Sequence, residues 1–220
     1  VIHVPYRNAM SFGQRIRAFF QFAWHASREA IREKADVVFA TSTPLTIAIP
    51  GIVARLRHRI PMVFEVRDLW PELPIAVGAL RNPLAKAAAR WLEWVAYHSS
   101  AHIVALSPGM AEGVIRRGIP SDRVTVIPNS CDLDLFDVPP ERGRPIRENL
   151  KLAPDQPLVV YTGTFGLING VEYLVEVAAT MRAFAPQVHF LLVGDGARRE
   201  IVVHRAQSTG GLGNNLTIWD

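Results

Sequence analysis

The chain has 220 residues, of which 49% are hydrophobic and 20% charged, and its formal net charge is +4. This composition is typical of a globular protein with one or two domains and excludes a disordered chain. The single cysteine, Cys131, excludes a disulfide within the chain and indicates a reducing compartment, so we expect a cytoplasmic location. No apolar run approaches the roughly 20 residues of a membrane-spanning helix.

Short apolar runs rich in Val, Ile, Leu and Phe predict the β-strands. They cover residues 36–41, 61–66, 102–107, 123–128, 158–163, 189–194 and 215–219. Runs that are apolar almost throughout are typical of strands covered on both faces, as in parallel sheets.

Segments with helical periodicity lie between these runs. Ser11 and Gln14 form a possible capping box at the start of the first helix. Asn82-Pro83 and Ser107-Pro108 each combine a capping residue with a first-turn proline, and so predict two further helix starts. Two more helices are expected over residues 171–184 and 198–207. This alternation of strands and helices predicts a doubly wound α/β fold.

The most loop-like stretch, residues 137–157, is rich in proline and charge. We place a junction between two Rossmann-like domains there. The first domain is expected over residues 1–138, a linker over 139–157, and the second domain over 158–220.

Ligands in open parallel α/β sheets bind at the carboxyl ends of the strands. The residues after each predicted strand are therefore the candidates for a site: Ser42 and Thr43; Glu65, Arg67 and Asp68; Ser107; Asn129; 163–170; and 194–196.

The stretch from Gly163 to Gly170 follows a strand and opens a helix. Glycines there let the backbone approach a ligand, and the helix presents free N–H groups to a phosphate. The alternative is a tight turn that packs the helix on the strand. Gly194-Asp195-Gly196 has the same two interpretations, either a common turn or the second wall of a nucleotide pocket.

Other polar residues at strand ends have structural explanations. Ser107 is expected to cap a helix, because Pro108 stands at the first helical position. Asn129 and Asp132 are expected to shape a turn through side-chain hydrogen bonds to the backbone. The histidines do not have metal-ligand spacing, so no metal site is predicted.

The first helix, within residues 11–33, is basic and amphipathic. Its apolar stripe comprises Phe12, Ile16, Phe19, Phe20 and Ala23. Opposite the stripe lie Arg15, Arg17, Arg28 and Arg32, and Trp24 adds a residue type common at membrane interfaces. The helix could therefore lie on an anionic membrane, or it could be an ordinary packed helix with a solvated basic face. Nucleic acid is not predicted as a partner, since no binding motif occurs.

Six segments in sequence resemble the retaining glycosyltransferases of family 4: ADVVFAT (35–41), VFEVRDLWPE (63–72), HIVALSPGM (102–110), RVTVIPNSCDLDLF (123–136), LVVYTGTFGLINGVEYLVEVA (158–178) and FLLVGDG (190–196). The FEVRDLWPE segment is similar to that of bacterial enzymes of polysaccharide and lipopolysaccharide assembly, such as the colanic acid and fucosamine transferases.

The resemblance implies the GT-B fold, with a nucleotide-sugar donor in the second domain and a glycan or lipid-linked acceptor in the first. It implies transfer of the sugar with retention and without a metal or other cofactor. Asp68, Arg67 and Glu65 would be the catalytic residues on the acceptor side. The donor would contact two loops, at Gly163, Thr164, Phe165, Gly166 and Asn169, and at Gly194, Asp195 and Gly196.

Three departures from the family pattern qualify these expectations. Thr164 and Asn169 stand where many relatives have Arg and Lys. The first strands of the family, and its late Glu-x7-Glu segment, are not found in the chain. We therefore expect a fragment of a glycosyltransferase that is inactive alone. The alternative hypotheses are part of a nucleotide-sugar 2-epimerase and a non-catalytic binding module.

Overall fold

The computed structural model describes residues 1–6, 10–42, 44–78 and 80–220, and for Phe12 the backbone only. Contacts divide the chain into two compact units, Val1–Ser130 and Cys131–Asp220. Each unit is an α/β structure with its own parallel sheet, which confirms the predicted fold class. The predicted limits at residues 138 and 157 remain predictions, and the division by contacts falls before both.

The first unit contains a parallel sheet of four strands in the order β1-β2-β3-β4. The strands are β1 (Val38–Thr41), β2 (Met62–Val66), β3 (His102–Ala105) and β4 (Val124–Val126). The helices are α1 (Phe12–Arg32), α2 (Ala48–His58), α3 (Glu72–Ala76), α4 (Pro83–Ser99) and α5 (Pro108–Ile115), with 3-10 turns at Leu45–Ile47 and Ser121–Arg123. Met62, Phe64 and Ile103 lie in the core between sheet and helices.

The second unit contains three parallel strands in the order β5-β6-β7. These are β5 (Leu158–Thr162), β6 (His189–Val193) and β7 (Leu216–Trp219). The helices are α6 (Leu133–Phe136), α7 (Arg144–Asn149), α8 (Val171–Phe184) and α9 (Arg199–Ser208), with a 3-10 turn at Pro140–Gly143. Phe165, Val175 and Leu192 belong to its core.

The predicted helix starts are confirmed by their caps. The Ser11 hydroxyl accepts the Gln14 backbone N–H, and the Gln14 side chain accepts the Ser11 N–H, which completes the capping box. The Asn82 side-chain oxygen accepts the N–H groups of Leu84 and Ala85. Capping residues thus fix where these helices begin, as their sequence pattern indicates.

Two segments differ from the sequence prediction. Residues 48–58 form α2, although Pro50 and Gly51 discourage a helical interpretation; the proline is tolerated because it lies in the first turn. Gly51 lets α2 approach the sheet closely, since a Cβ there would come within 2.8 Å of the Met62 sulfur. The predicted linker contains α7, whose second residue is a proline.

Helix α1 buries most of the apolar stripe that the sequence predicts, but not Phe20. The helix packs on α2, and its fully buried residues are Ala18 and Ala23. Ile16 and Phe19 of the predicted stripe are half-buried, whereas Phe20 is 54% exposed. The described part of the chain contains no helix long and apolar enough to cross a membrane.

An ion cluster around the buried Glu93 connects α3, α4 and the end of α5 in the first unit. The Arg117 guanidinium, just after α5, contacts Glu72 of α3 at 2.9 Å and Glu93 of α4 at 3.3 Å. Burial raises the pKa of Glu93 and outweighs the opposing attraction of Arg117, while Glu72 adds repulsion that raises it further. Burial and the nearby Glu93 likewise raise the pKa of Tyr97. Glu72, which follows the DLWP turn, is therefore held by a partner 45 residues away.

We predict that Glu93→Gln removes one component of the pH dependence of stability. Because the pKa of Glu93 is raised in the folded chain, its stabilising contribution is complete below about pH 4.5 and is lost as pH rises through the raised pKa. The free energy of unfolding of wild type, relative to that of E93Q, should therefore fall as pH rises from about 4.5 through the raised pKa of Glu93. Urea titrations of the first unit across this pH range provide the measurement.

Glu112→Gln is the matched control, because Glu112 is an exposed acid that pairs with Arg116 on α5. A difference between wild type and E93Q that stays constant with pH would contradict the raised pKa.

Candidate functional site

Three strand ends of the first unit meet around one shallow depression of about 520 Å³. Arg67 and Asp68 follow β2, Leu106 follows β3, and Asn129 lies beyond β4, and all four line the depression. The strand-end rule therefore placed Arg67, Asp68 and Asn129 together correctly. A guanidinium and a carboxylate in an open depression can bind the hydroxyl groups of a sugar.

The backbone that carries Arg67 and Asp68 is held by Ser42, a buried residue at the end of β1. The Ser42 N–H donates to the Glu65 carbonyl at 2.8 Å, and the Arg67 N–H donates to the Ser42 hydroxyl at 2.9 Å. The Trp70 N–H then donates to the Asp68 carbonyl at 3.0 Å. With Glu72 anchored by Arg117, the turn is fixed at both ends.

Glu65 does not join the other two predicted catalytic residues around this depression. It lies within β2, on the face of the strand opposite to the buried side chains of Phe64 and Val66. The two-residue period of the strand causes this separation, because successive side chains point to opposite faces. The structure thus brings Arg67 and Asp68 together and leaves Glu65 on the sheet.

The remaining strand-end candidates of the first unit have different outcomes. The Ser107 hydroxyl accepts the Met110 N–H, which confirms its predicted role as a helix cap. Neither Asn129 nor Asp132 makes a side-chain hydrogen bond within the described ranges, so the predicted turn bonds are absent there. Thr43 lies outside the described residues.

In the second unit the two predicted glycine loops are bonded to each other. The Phe165 N–H donates to the Asp195 carbonyl at 3.0 Å, and the Arg198 N–H donates to the Phe165 carbonyl at 3.0 Å. The Gly163 N–H donates to the Val193 carbonyl. The sequence prediction that these loops lie side by side is confirmed.

This mutual packing explains the two glycines of the second loop. Gly194 and Gly196 have φ angles of +151° and +155°. A Cβ at Gly194 would come within 1.9 Å of the Gly163 carbonyl oxygen, and one at Gly196 within 2.6 Å of the Phe165 oxygen. The backbone of the neighbouring loop therefore occupies the space that these two glycines leave free.

The predicted donor-contact residues of the first loop divide into buried and exposed groups. Phe165 is completely buried in the core, where it anchors the loop. Thr164 and Asn169 are exposed, and a Cβ at Gly166 would come within 2.9 Å of the Asn169 side-chain oxygen. Thr164, Asn169 and the exposed Asp195 are thus the predicted residues whose side chains a ligand could reach.

The first turn of α8 already holds a carboxylate. The helix starts after Gly170 in the left-handed conformation, with φ +58° and no side-chain cap. Burial raises the pKa of Glu172, but a hydrogen bond from its own backbone N–H and its ion pair with Arg198 outweigh this and hold the pKa below its usual value. Glu172 therefore satisfies part of the positive helix end.

Two ion pairs connect α8 with α9 and with the residue that precedes it. Glu172 pairs with Arg198, and Glu176, one turn further along α8, pairs with Arg205. The first pair lies beside the glycine loops, because the Arg198 N–H bonds to Phe165. Sequence reasoning did not select Arg198. The signal available was a cation two residues after the Gly194-Asp195-Gly196 loop.

Comparison with known proteins identifies relatives of the chain. The model of Glycosyltransferase Family 4 matches residues 1–135, more than half of the chain. Alpha-maltose-1-phosphate synthase of Mycolicibacterium smegmatis is 26% identical over 147 residues, which cover 66% of this chain and 37% of that protein.

Solved structures share the fold at low identity. Anabaena HepE in complex with UDP has a TM-score of 0.67 and 18% identity, over 97% of this chain and 54% of that one. UDP-GlcNAc 2-epimerase of Neisseria meningitidis, bound to UDP-GlcNAc, has a TM-score of 0.62 and 14% identity, over 98% of this chain and 56% of that one. The chain thus spans little more than half the length of these proteins, and its two parallel α/β units correspond to the GT-B type. By its sequence match over residues 1–135, the chain belongs to glycosyltransferase family 4.

Proposed function

We propose that the gene product containing this chain transfers a sugar from a nucleotide-sugar donor to a glycan or lipid-linked acceptor in the synthesis of cell-surface polysaccharide. The match to family 4 carries this proposal. Transfer proceeds with retention and without a metal, as the resemblance implies. Arg67 and Asp68, which follow β2 and line one depression, support a place for sugar hydroxyls.

On the acceptor side, Asp68 orients a hydroxyl group as hydrogen-bond acceptor, and Arg67, which lines the same depression, donates to the same sugar. Both residues sit on a turn that Ser42 and Arg117 immobilise. A fixed turn is what such a role requires, because orientation of the reacting group contributes to the rate only when its geometry is maintained.

On the donor side, Arg198 supplies positive charge to the diphosphate. Negative charge grows on that group as the sugar leaves, so a nearby cation stabilises the transition state. Thr164 and Asn169 carry no charge, whereas the partly exposed Arg198 lies against the glycine loops. The UDP complex of HepE supports a uridine nucleotide as the first donor to test.

The basic helix α1 is proposed to contact the inner face of the cell membrane. Arg17 and Arg28 are exposed on the same face as Phe20 and Trp24. Arg15 instead donates to the Met10 carbonyl at 3.1 Å and is half-buried. The exposed combination of arginine and aromatic side chains suits an anionic bilayer surface.

Transfer activity is tested with the complete gene product that contains these 220 residues. We expect a UDP-, GDP- or TDP-sugar to be consumed only when a lipid-diphosphate acceptor is present, with the product keeping the anomeric configuration of the donor. The measurement is mass spectrometry and NMR of the product. Conversion of UDP-GlcNAc without an acceptor would instead favour an epimerase, a class whose fold is similar.

Asp68→Asn should lower the rate of transfer by roughly 100-fold while donor binding persists, because only the acceptor loses its charged partner. Steady-state kinetics and calorimetry with UDP separate the two effects. Asp122→Asn, an exposed acid in the turn before β4, is the control. An unchanged rate would make Asp68 a structural residue.

Arg198→Gln should weaken UDP binding by about tenfold, the scale of one charge-assisted hydrogen bond. The matched control is Arg205→Gln, which removes the same kind of pair between the same helices away from the loops. Glu172→Gln should leave binding at least as strong, because it removes a negative charge from the first turn of α8. Equal weakening by R198Q and E172Q would show that Arg198 acts only through its ion pair.

A further inference from the structure

Helix α4 exposes an apolar face that contains two tryptophans. Leu84 is 79% exposed, Trp91 65% and Trp94 54%. With the exposed Ala87 and His98, these residues recur at three- and four-residue intervals, so they form one stripe along the whole helix. The opposite face is buried through Glu93, Ala96 and Tyr97. Large apolar side chains aligned on an exposed face indicate an interaction surface.

The charged side chains of α4 and α2 are all cations, apart from the buried Glu93. Lys86 and Arg90 are the cations of α4, and its single acid, Glu93, is buried on the other side. The neighbouring helix α2 carries Arg55 and Arg57 and no acid. Within the described ranges, no acid forms an ion pair with these four cations.

A basic depression of about 680 Å³ lies at the carboxyl end of the stripe. Arg55, Arg59 and Arg123 line it together with His98, and these arginines are the charged side chains of its wall. Leu56, 64% exposed, belongs to the same wall. The His98 ring stacks on Trp94 with centroids 4.4 Å apart, so the depression and the tryptophan stripe form one continuous surface. Arg59 adopts a left-handed backbone conformation with φ +57°.

We propose that the α4 stripe and the basic depression together dock on the surface of a bilayer containing anionic lipids. Tryptophan and leucine side chains enter the interface between headgroups and acyl chains, where amphipathic aromatic rings are stable. The arginines contact lipid phosphates, each contributing through the negative surface potential. Association with a second copy through this face would bring like charges together, which is unfavourable.

This surface is distinct from the α1 face and does not depend on sugar transfer. The stripe and its cations belong to α4 and α2, whereas the earlier membrane contact uses Arg17, Trp24 and Arg28. Each surface can therefore be removed by substitution without changing the other, and neither set includes Asp68 or Arg198.

The test is co-sedimentation of the 220-residue chain with vesicles of phosphatidylcholine alone and of equal parts phosphatidylcholine and phosphatidylglycerol. We expect binding to the anionic vesicles that weakens as salt is added. Trp91→Ala with Trp94→Ala should lower the partition coefficient by roughly tenfold. Arg55→Gln with Arg59→Gln should lower the partition coefficient by roughly 25-fold, at about fivefold for each charge, and should reduce its salt dependence.

The control variants are Tyr173→Ala and Arg142→Gln, an exposed aromatic residue and an exposed cation of the second unit. Arg17→Gln with Trp24→Ala reports separately on α1. Circular dichroism and urea unfolding confirm that each variant is folded. Quenching of tryptophan emission by acyl-chain-brominated lipid should be lower in the W91A/W94A variant than in wild type.

Three outcomes would overturn the proposal. The first is anionic-vesicle binding that the α4 and α2 variants leave unchanged. The second is an absence of vesicle binding together with a concentration-dependent dimer that W91A/W94A abolishes, which would assign the face to a second copy. The third is binding of single-stranded nucleic acid that requires Trp91 and Trp94 and excludes vesicle binding.

Discussion

The parallel pairing of the strands is the constraint on which the candidate site depends. In the first unit, β2 lies between β1 and β3, and Val66 is in register with Ala105. All strands run in one direction, so Arg67, Leu106 and Asn129 emerge at the same edge of the sheet although they are far apart in sequence. The Ser42 hydroxyl, at the end of β1, accepts the Arg67 N–H and so ties the end of β2 to that of β1. The site is thus a consequence of strand direction and register more than of any single motif.

The sequence predicted the helix starts well because local capping signals determine them, and the alternation of strands and helices predicted the parallel sheets. Ser11, Asn82 and Ser107 each cap the helix that follows, as their patterns indicate. Helix α2 was not predicted, because its proline and glycine are common in loops. Its existence depends on Gly51 meeting Met62 and Ala40 in the folded sheet. Contacts of this kind are tertiary, and periodicity along the chain does not contain them.

Residues of the candidate site were predicted with uneven success for a similar reason. Arg67 and Asp68 were placed at a strand end, and strand ends are set by the α/β pattern. Glu65 was grouped with them by proximity in sequence, yet the strand period directs its side chain to the sheet face. Phe165 was grouped with the loop, yet its apolar ring is buried in the core. Arg198 was missed because only the folded chain brings it to the glycine loops.

The left-handed conformation of Arg59 has a consequence for the balance between stability and function. Most side chains disfavour this conformation by roughly 1–2 kcal/mol, and glycine is the usual residue where a helix ends in this way. An arginine at this position therefore makes the end of α2 less stable than a glycine would, and places a cation in the wall of the basic depression. Selection for stability alone would favour glycine at this position. Relatives that keep an arginine there would therefore indicate selection for the function of the cation, whereas relatives with glycine would indicate selection for the fold.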